Sequence, residues 1–121
     1  MIWNHFLTYA LRFCTLVPWL CLASIYSVGL RTAYAVGHLP RCNLDNSPDE
    51  WFCHALFWIG FNLISASMAS PAFVALLLGL NQMRARRDDW RVHIGVHTLG
   101  WAAIFFLLIV DPGGIMEWWF D

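Results

Sequence analysis

Four cysteines and five histidines are the side chains of this sequence best suited to metal, redox or cross-linking chemistry. Cys42 and Cys53 have ten residues between them. Oxidised, they would close a short loop and contribute ~2–3 kcal/mol by restricting the unfolded chain. A Cys42–Cys53 disulfide is the first reading of this pair, and free thiols the second. The third is a metal site completed by His38 and His54, although that spacing fits no common zinc pattern. Cys14 and Cys21, seven apart on one helix face, read as small packing residues. His93 and His97 stand at i and i+4, so one helix presents both on one face. Two such histidines cannot occupy opposite faces of a single haem iron, and a second axial ligand would have to come from elsewhere. His5 is the other histidine expected at that end. The simpler expectation is that His93 is interfacial and His97, one turn deeper, hydrogen-bonds a neighbouring helix. The sequence holds no nucleophile–base pair, glycine-rich phosphate loop or HExxH pattern. We therefore expect no enzyme, and neither a resident cofactor nor a bound metal.

The elements that position these residues follow from composition. Of 121 residues, 60% are hydrophobic and 12% charged, with a mean hydropathy of +0.56. That charge content is about half that of an average soluble domain. Aromatics at 17% exclude a disordered chain, and a net charge of −1 supplies no field for nucleic acid. A soluble domain this small buries too little of its surface to hide so much apolar area. The expected fold is all-α: one membrane domain over 1–121 with three transmembrane helices, at 13–36, 54–80 and 92–110, and a short interfacial C-terminal segment.

Arg12 and Arg31 bracket the first span, with no charge from Phe13 to Leu30. Their nineteen residue steps at ~1.5 Å separate them by about 28 Å, close to the thickness of a hydrocarbon core. Pro18 is expected to bend this helix. A cleavable signal peptide competes for the segment, since Ala33-Tyr34-Ala35 has the small-x-small form. The eighteen-residue apolar stretch is longer than the usual ~7–15, which favours a retained helix. The second span is uncharged from Trp51 to Met83. Its small residues four apart, Ser65/Ala69 and Ala66/Ser70, allow close backbone approach, so this helix is expected to be the one its neighbours pack against, and its small-residue face is a candidate for self-association. Ser67, four residues before Pro71, is expected to help satisfy the backbone that proline disrupts. The third span stops at Asp111-Pro112-Gly113-Gly114, and the tryptophan-rich tail after it suits the headgroup level.

Orientation follows arginine retention. Arg12, Arg84, Arg86, Arg87 and Arg91 fall on one side and Arg31 and Arg41 on the other. Five against two puts the N-terminus and the arginine loop in the cytoplasm and the C-terminus outside, in the periplasm of a bacterium. The arginine loop is an orientation anchor first and a candidate for phosphate or lipid headgroups second. Trp3 and Trp90 then mark the inner interface; Trp51, Trp118 and Trp119 mark the outer one. Unusual residues concentrate at the outward corner, where Arg31, Gly37, His38, Pro40, Asp45 and Pro48 surround the exit of the first helix. Gly37 permits a sharp turn and Pro40 stops the helix. His38 and Asp45 either pair with each other, or recognise a ligand across the turn, or simply face water in a rigid re-entry turn.

Arg31-x5-Gly37-His38-x-Pro40, followed by an acidic residue and Pro48, resembles a pattern in small bacterial multi-pass inner-membrane proteins. The ending Asp111-Pro112-Gly113-Gly114…Trp118-Trp119-Phe120-Asp121 is similar to the tail of the same proteins. The resemblance implies three spans in a bacterial inner membrane. That group has no assigned activity, so no catalytic residue is implied.

Three function classes follow. The first is a non-enzymatic accessory or assembly subunit contacting a partner through the outward corner and aromatic tail. The second is a phage-type holin forming membrane lesions, which agrees in size and span number but lacks a basic cytoplasmic tail. The third is a haem- or quinone-binding redox subunit using His93 and His97. The absence of Asp, Glu, Lys and Arg inside the spans argues against proton or ion transport.

Overall fold

The computed structural model describes residues 2–41, 46, 49–83 and 90–120. They form four helices in chain order: α1 (Ile2–Val36), α2 (Trp51–Met83), α3 (Trp90–Val110) and α4 (Ile115–Phe120), with no strand among the described residues. Three segments, His5–Val36, Trp51–Leu80 and Trp90–Val110, are long and apolar enough to cross a membrane. The protein is an all-α bundle of membrane-spanning type.

The first helix begins eleven residues before the expected boundary at 13. A charge-bounded reading stops at Arg12, but one exposed guanidinium on a helix side can snorkel and does not break backbone hydrogen bonding. The 35 residues of α1 run about 52 Å, so its ends extend beyond a ~30 Å hydrocarbon core.

Buried positions repeat every seven residues. On α1 they are Leu11, Pro18, Ile25 and Thr32, with Cys21 and Val28 between; on α2 they are Cys53, Gly60, Ser67 and Val74. A 3.5-residue seam belongs to left-handed helix pairing. The pairing is antiparallel, since Leu11 near the start of α1 packs with Val74 and Leu78 near the end of α2.

The hub of the bundle is α1, which corrects the expectation that α2 plays this part. The most apolar stretch of α1 is 50% buried, against 22% for α2 and 11% for α3. α1 packs on all three other helices, whereas α2 and α3 touch little. The seam of α1 is buried because its hydroxyls are satisfied within the helix. Thr15 Oγ1 donates to the Leu11 carbonyl (2.8 Å), Ser24 Oγ to Leu20 (2.9 Å) and Thr32 Oγ1 to Val28 (2.9 Å). On α2, Ser65, Ala66 and Ala69 are exposed. Pro71 removes the donor that the Ser67 carbonyl would otherwise receive. The hydroxyl that replaces it comes from Ser70 (2.7 Å), not from Ser67.

α3 meets α1 at Gly100. A Cβ there would lie 2.9 Å from Pro18 Cβ and 2.9 Å from Trp19 Nε1, so only glycine permits this approach. Trp19 Nε1 donates to the Val96 carbonyl at 3.0 Å, fastening the crossing.

The chain turns back after α3 through Asp111 (φ +34°), Gly113 (+92°) and Gly114 (+67°). Asp111 does more than mark the helix end. Its two carboxylate oxygens accept the Met116 and Glu117 backbone N–H groups, each at 2.8 Å, capping α4. Ile115, Met116 and Trp119 are buried, with Ile115 against Gly29 and Trp119 against Gly60. The Trp119 ring lies 4.6 Å from that of Phe57. The tail thus packs one face into the bundle and leaves Glu117 and Phe120 exposed.

Candidate functional site: the α1–α2 corner and the histidine seam

At the corner, Gly37 closes α1 with a left-handed φ of +78° and donates to the Ala33 carbonyl at 2.9 Å. Gly37 thus adopts the turn angles expected of it, and α1 ends there, before Pro40, which was the expected stop. Pro40 follows and is buried. Arg31 reaches across to α2, where its Nε donates to Glu50 Oε2 at 3.1 Å and its Nη2 donates to Glu50 Oε1. This two-point pair ties the end of α1 to the start of α2. Glu50 is absent from the corner set read from the sequence. Its opposite charge at the facing helix end was the available signal. The Arg31 guanidinium also lies 5.3 Å from the centre of the Tyr34 ring, in cation–π range.

His38 is engaged locally. Its Nδ1–H donates to the Leu39 carbonyl at 2.8 Å, and its Nε2 lies 3.3 Å from Arg41 Nη2. His54 contacts Asp49 at 2.9 Å. Cys42, Asp45 and Pro48 lie outside the described residues, as do the 84–89 arginine loop, Asp121 and the side chain of Trp3. Cys53 is a free thiol, 1% exposed. The expected disulfide is therefore corrected: Cys53 occupies a seam position of α2 and points into the bundle, where packing uses it as a small apolar residue. His38 and His54 are engaged with other partners, and no cluster of three or more metal-ligating side chains occurs among the described residues.

Leu39 lies against Gly113, so the corner and the α3–α4 turn are contiguous. Tyr34 and Trp51, at the corner, are 81% and 82% exposed. One end of the bundle thus brings together Arg31, Gly37, His38, Pro40 and the turn leading to the aromatic tail.

The second polar feature is a histidine seam toward the opposite end. Thr15 Oγ1 already donates to Leu11, so the 3.1 Å contact with His93 has His93 Nδ1–H donating to that hydroxyl. Likewise Ser70 Oγ donates to Ser67, so His97 Nε2–H donates to Ser70 Oγ at 3.4 Å. His97 is buried and bonds a neighbouring helix as its depth predicted. His93 bonds α1 as well, which the sequence did not signal. Each histidine commits one ring nitrogen to a helix–helix contact.

No protein-family model matches this chain, and no characterised protein or solved structure matches it.

Proposed function

We propose that this protein is a non-enzymatic multi-pass protein of the bacterial inner membrane, acting as an accessory or assembly subunit that docks a partner protein through the α1–α2 corner. In this reading the N-terminus and arginine loop are cytoplasmic, and the corner and C-terminus are periplasmic, following arginine retention. The observation that carries the proposal is an immobilised corner with protruding aromatics. Arg31 and Glu50 clamp two helix ends together, while Tyr34 and Trp51 beside them stand exposed. Rigid aromatic side chains next to an arginine are the usual anchors of protein interfaces. A photo-cross-linking residue placed at Tyr34 or Trp51 is expected to capture one discrete protein in mild detergent. The same probe at Ile109, exposed on α3, is expected to capture lipid. Lipid adducts alone at all three positions would overturn the docking role. Reporter fusions at residues 46 and 87 are expected in opposite compartments, and finding them together would overturn the topology.

The exposed Ser65, Ala66 and Ala69 favour a second contact, with another copy of the chain. A Ser65→Cys variant is expected to form a cross-linked dimer in membranes under oxidation, and a monomer there argues against it.

A further inference from the structure

Because α2 and α3 both lean on α1 and touch each other little, a cleft of about 420 Å³ opens between them. Ile64 and Met68 line it from α2, Phe105 and Leu108 from α3, and Met116 and Phe120 of α4 close the end nearest the turn. Its wall is wholly apolar, because Ser67 Oγ and Trp101 Nε1 are buried behind the surface. From Leu108 to Trp101 the cleft follows α3 for seven residue steps, about 10 Å. That depth lies within one leaflet, whose hydrocarbon is about 15 Å thick. At the α4 end the cleft joins a hollow in the crook between α3 and α4, which shares Leu108, Met116 and Phe120 with it. Asp111 and Glu117 border this hollow, and no basic side chain does. Among the described residues neither carboxylate has a cationic partner, and the carboxyl end of α3 adds partial negative charge.

We infer that the cleft holds one acyl chain of a diacyl lipid whose headgroup carries a primary ammonium, with that ammonium against Asp111 and Glu117. A wall with no accessible donor or acceptor suits hydrocarbon and penalises any polar ligand. A membrane-crossing helix fits poorly, being ~10–12 Å across and needing a path through both leaflets. Here α4 closes one end and the cleft stops near mid-membrane. An acyl chain has the same course: it starts at the interface and ends inside the bilayer. The ammonium follows from charge, since two carboxylates attract it and repel a headgroup of net negative charge. Asp111 already accepts two backbone N–H groups, but a carboxylate offers about four acceptor positions. A primary ammonium can hydrogen-bond those positions as well as neutralise them. This site is independent of the docking role proposed above, and it serves whichever leaflet α4 faces.

The test is native mass spectrometry of the full-length protein in dodecylmaltoside, supplied with equal amounts of phosphatidylethanolamine and phosphatidylglycerol of matched chains. One retained phosphatidylethanolamine is expected, favoured over phosphatidylglycerol roughly 2- to 5-fold, the effect of an exposed charge pair. Glu117→Gln is expected to weaken this preference and Glu117→Lys to reverse it. Leu108→Trp and Met68→Trp, which fill the cleft from α3 and from α2, are each expected to abolish retention of either lipid. Leu99→Trp, at an exposed position of α3 outside the cleft, is expected to retain lipid normally. All variants are first checked for helix content by circular dichroism. Equal retention of the two headgroups, a preference unmoved by Glu117→Lys, or retention unchanged in both filled variants would each overturn the inference. So would a dimer that the filled variants abolish, which would make the cleft a contact between copies of the chain.

Discussion

Replacing Gly100 with alanine separates packing from helix propensity on one helix. The added methyl would sit 2.9 Å from Pro18 Cβ, which belongs to a ring with no alternative rotamer, and 2.9 Å from Trp19 Nε1. Relief requires α3 to move off α1. Overpacking of this kind costs ~1–3 kcal/mol, and losing the Trp19–Val96 hydrogen bond adds ~0.5–1.5 kcal/mol. The sum is about 1.5–4.5 kcal/mol, roughly a 12- to 1,600-fold fall in the folded-to-unfolded ratio. Gly95, on the same helix, has nothing within 4 Å of a built Cβ. Gly95→Ala should therefore be neutral or stabilising by up to ~1 kcal/mol through helix propensity. The assay is reversible unfolding in mixed micelles of dodecylmaltoside and increasing sodium dodecyl sulfate, followed by tryptophan emission and circular dichroism. Destabilisation is expected for Gly100→Ala and none for Gly95→Ala. Equal effects, or a stable Gly100→Ala protein, would refute the close α1–α3 crossing.

Asp111→Ala removes the acceptor of two backbone N–H groups and should cost ~0.5–2 kcal/mol, read as faster proteolysis of the tail and altered Trp119 emission. Glu50→Arg should destabilise modestly, because the pair is partly open to solvent, and Arg31→Glu in the same chain should restore the loss in the same unfolding assay. In a variant keeping Cys53 as its sole cysteine, maleimide labelling should be negligible until denaturation, since that thiol is 1% exposed; rapid labelling of the folded protein would contradict its inward position.

Three helical spans were legible because lipid imposes a simple condition on sequence: about twenty uncharged residues between polar ends. Pro18 and Pro71 did not obscure them, as helices packed against neighbours tolerate proline. The stop at Asp111-Pro112-Gly113-Gly114 was equally readable, because those residue types resist helix continuation wherever they occur. The depth and bonding of His97 followed from its position one turn beyond His93.

Which helix sits at the centre was not legible. Small residues on α2 permit close approach, but so do the self-satisfied hydroxyls and Gly29 of α1, and hydropathy does not rank one face against another when both are apolar. Cys53 shows the same limit: spacing along the chain made a disulfide with Cys42 reasonable, whereas the rotation of α2 turned its sulfur inward. Glu50 opposite Arg31, Asp111 above α4 and Ser70 replacing the donor lost at Pro71 are likewise relations across space. Lipid accepts nearly any apolar helix face, so a one-dimensional pattern states that helices will cross the membrane; steric fit and the pairing of scarce polar atoms choose how they meet.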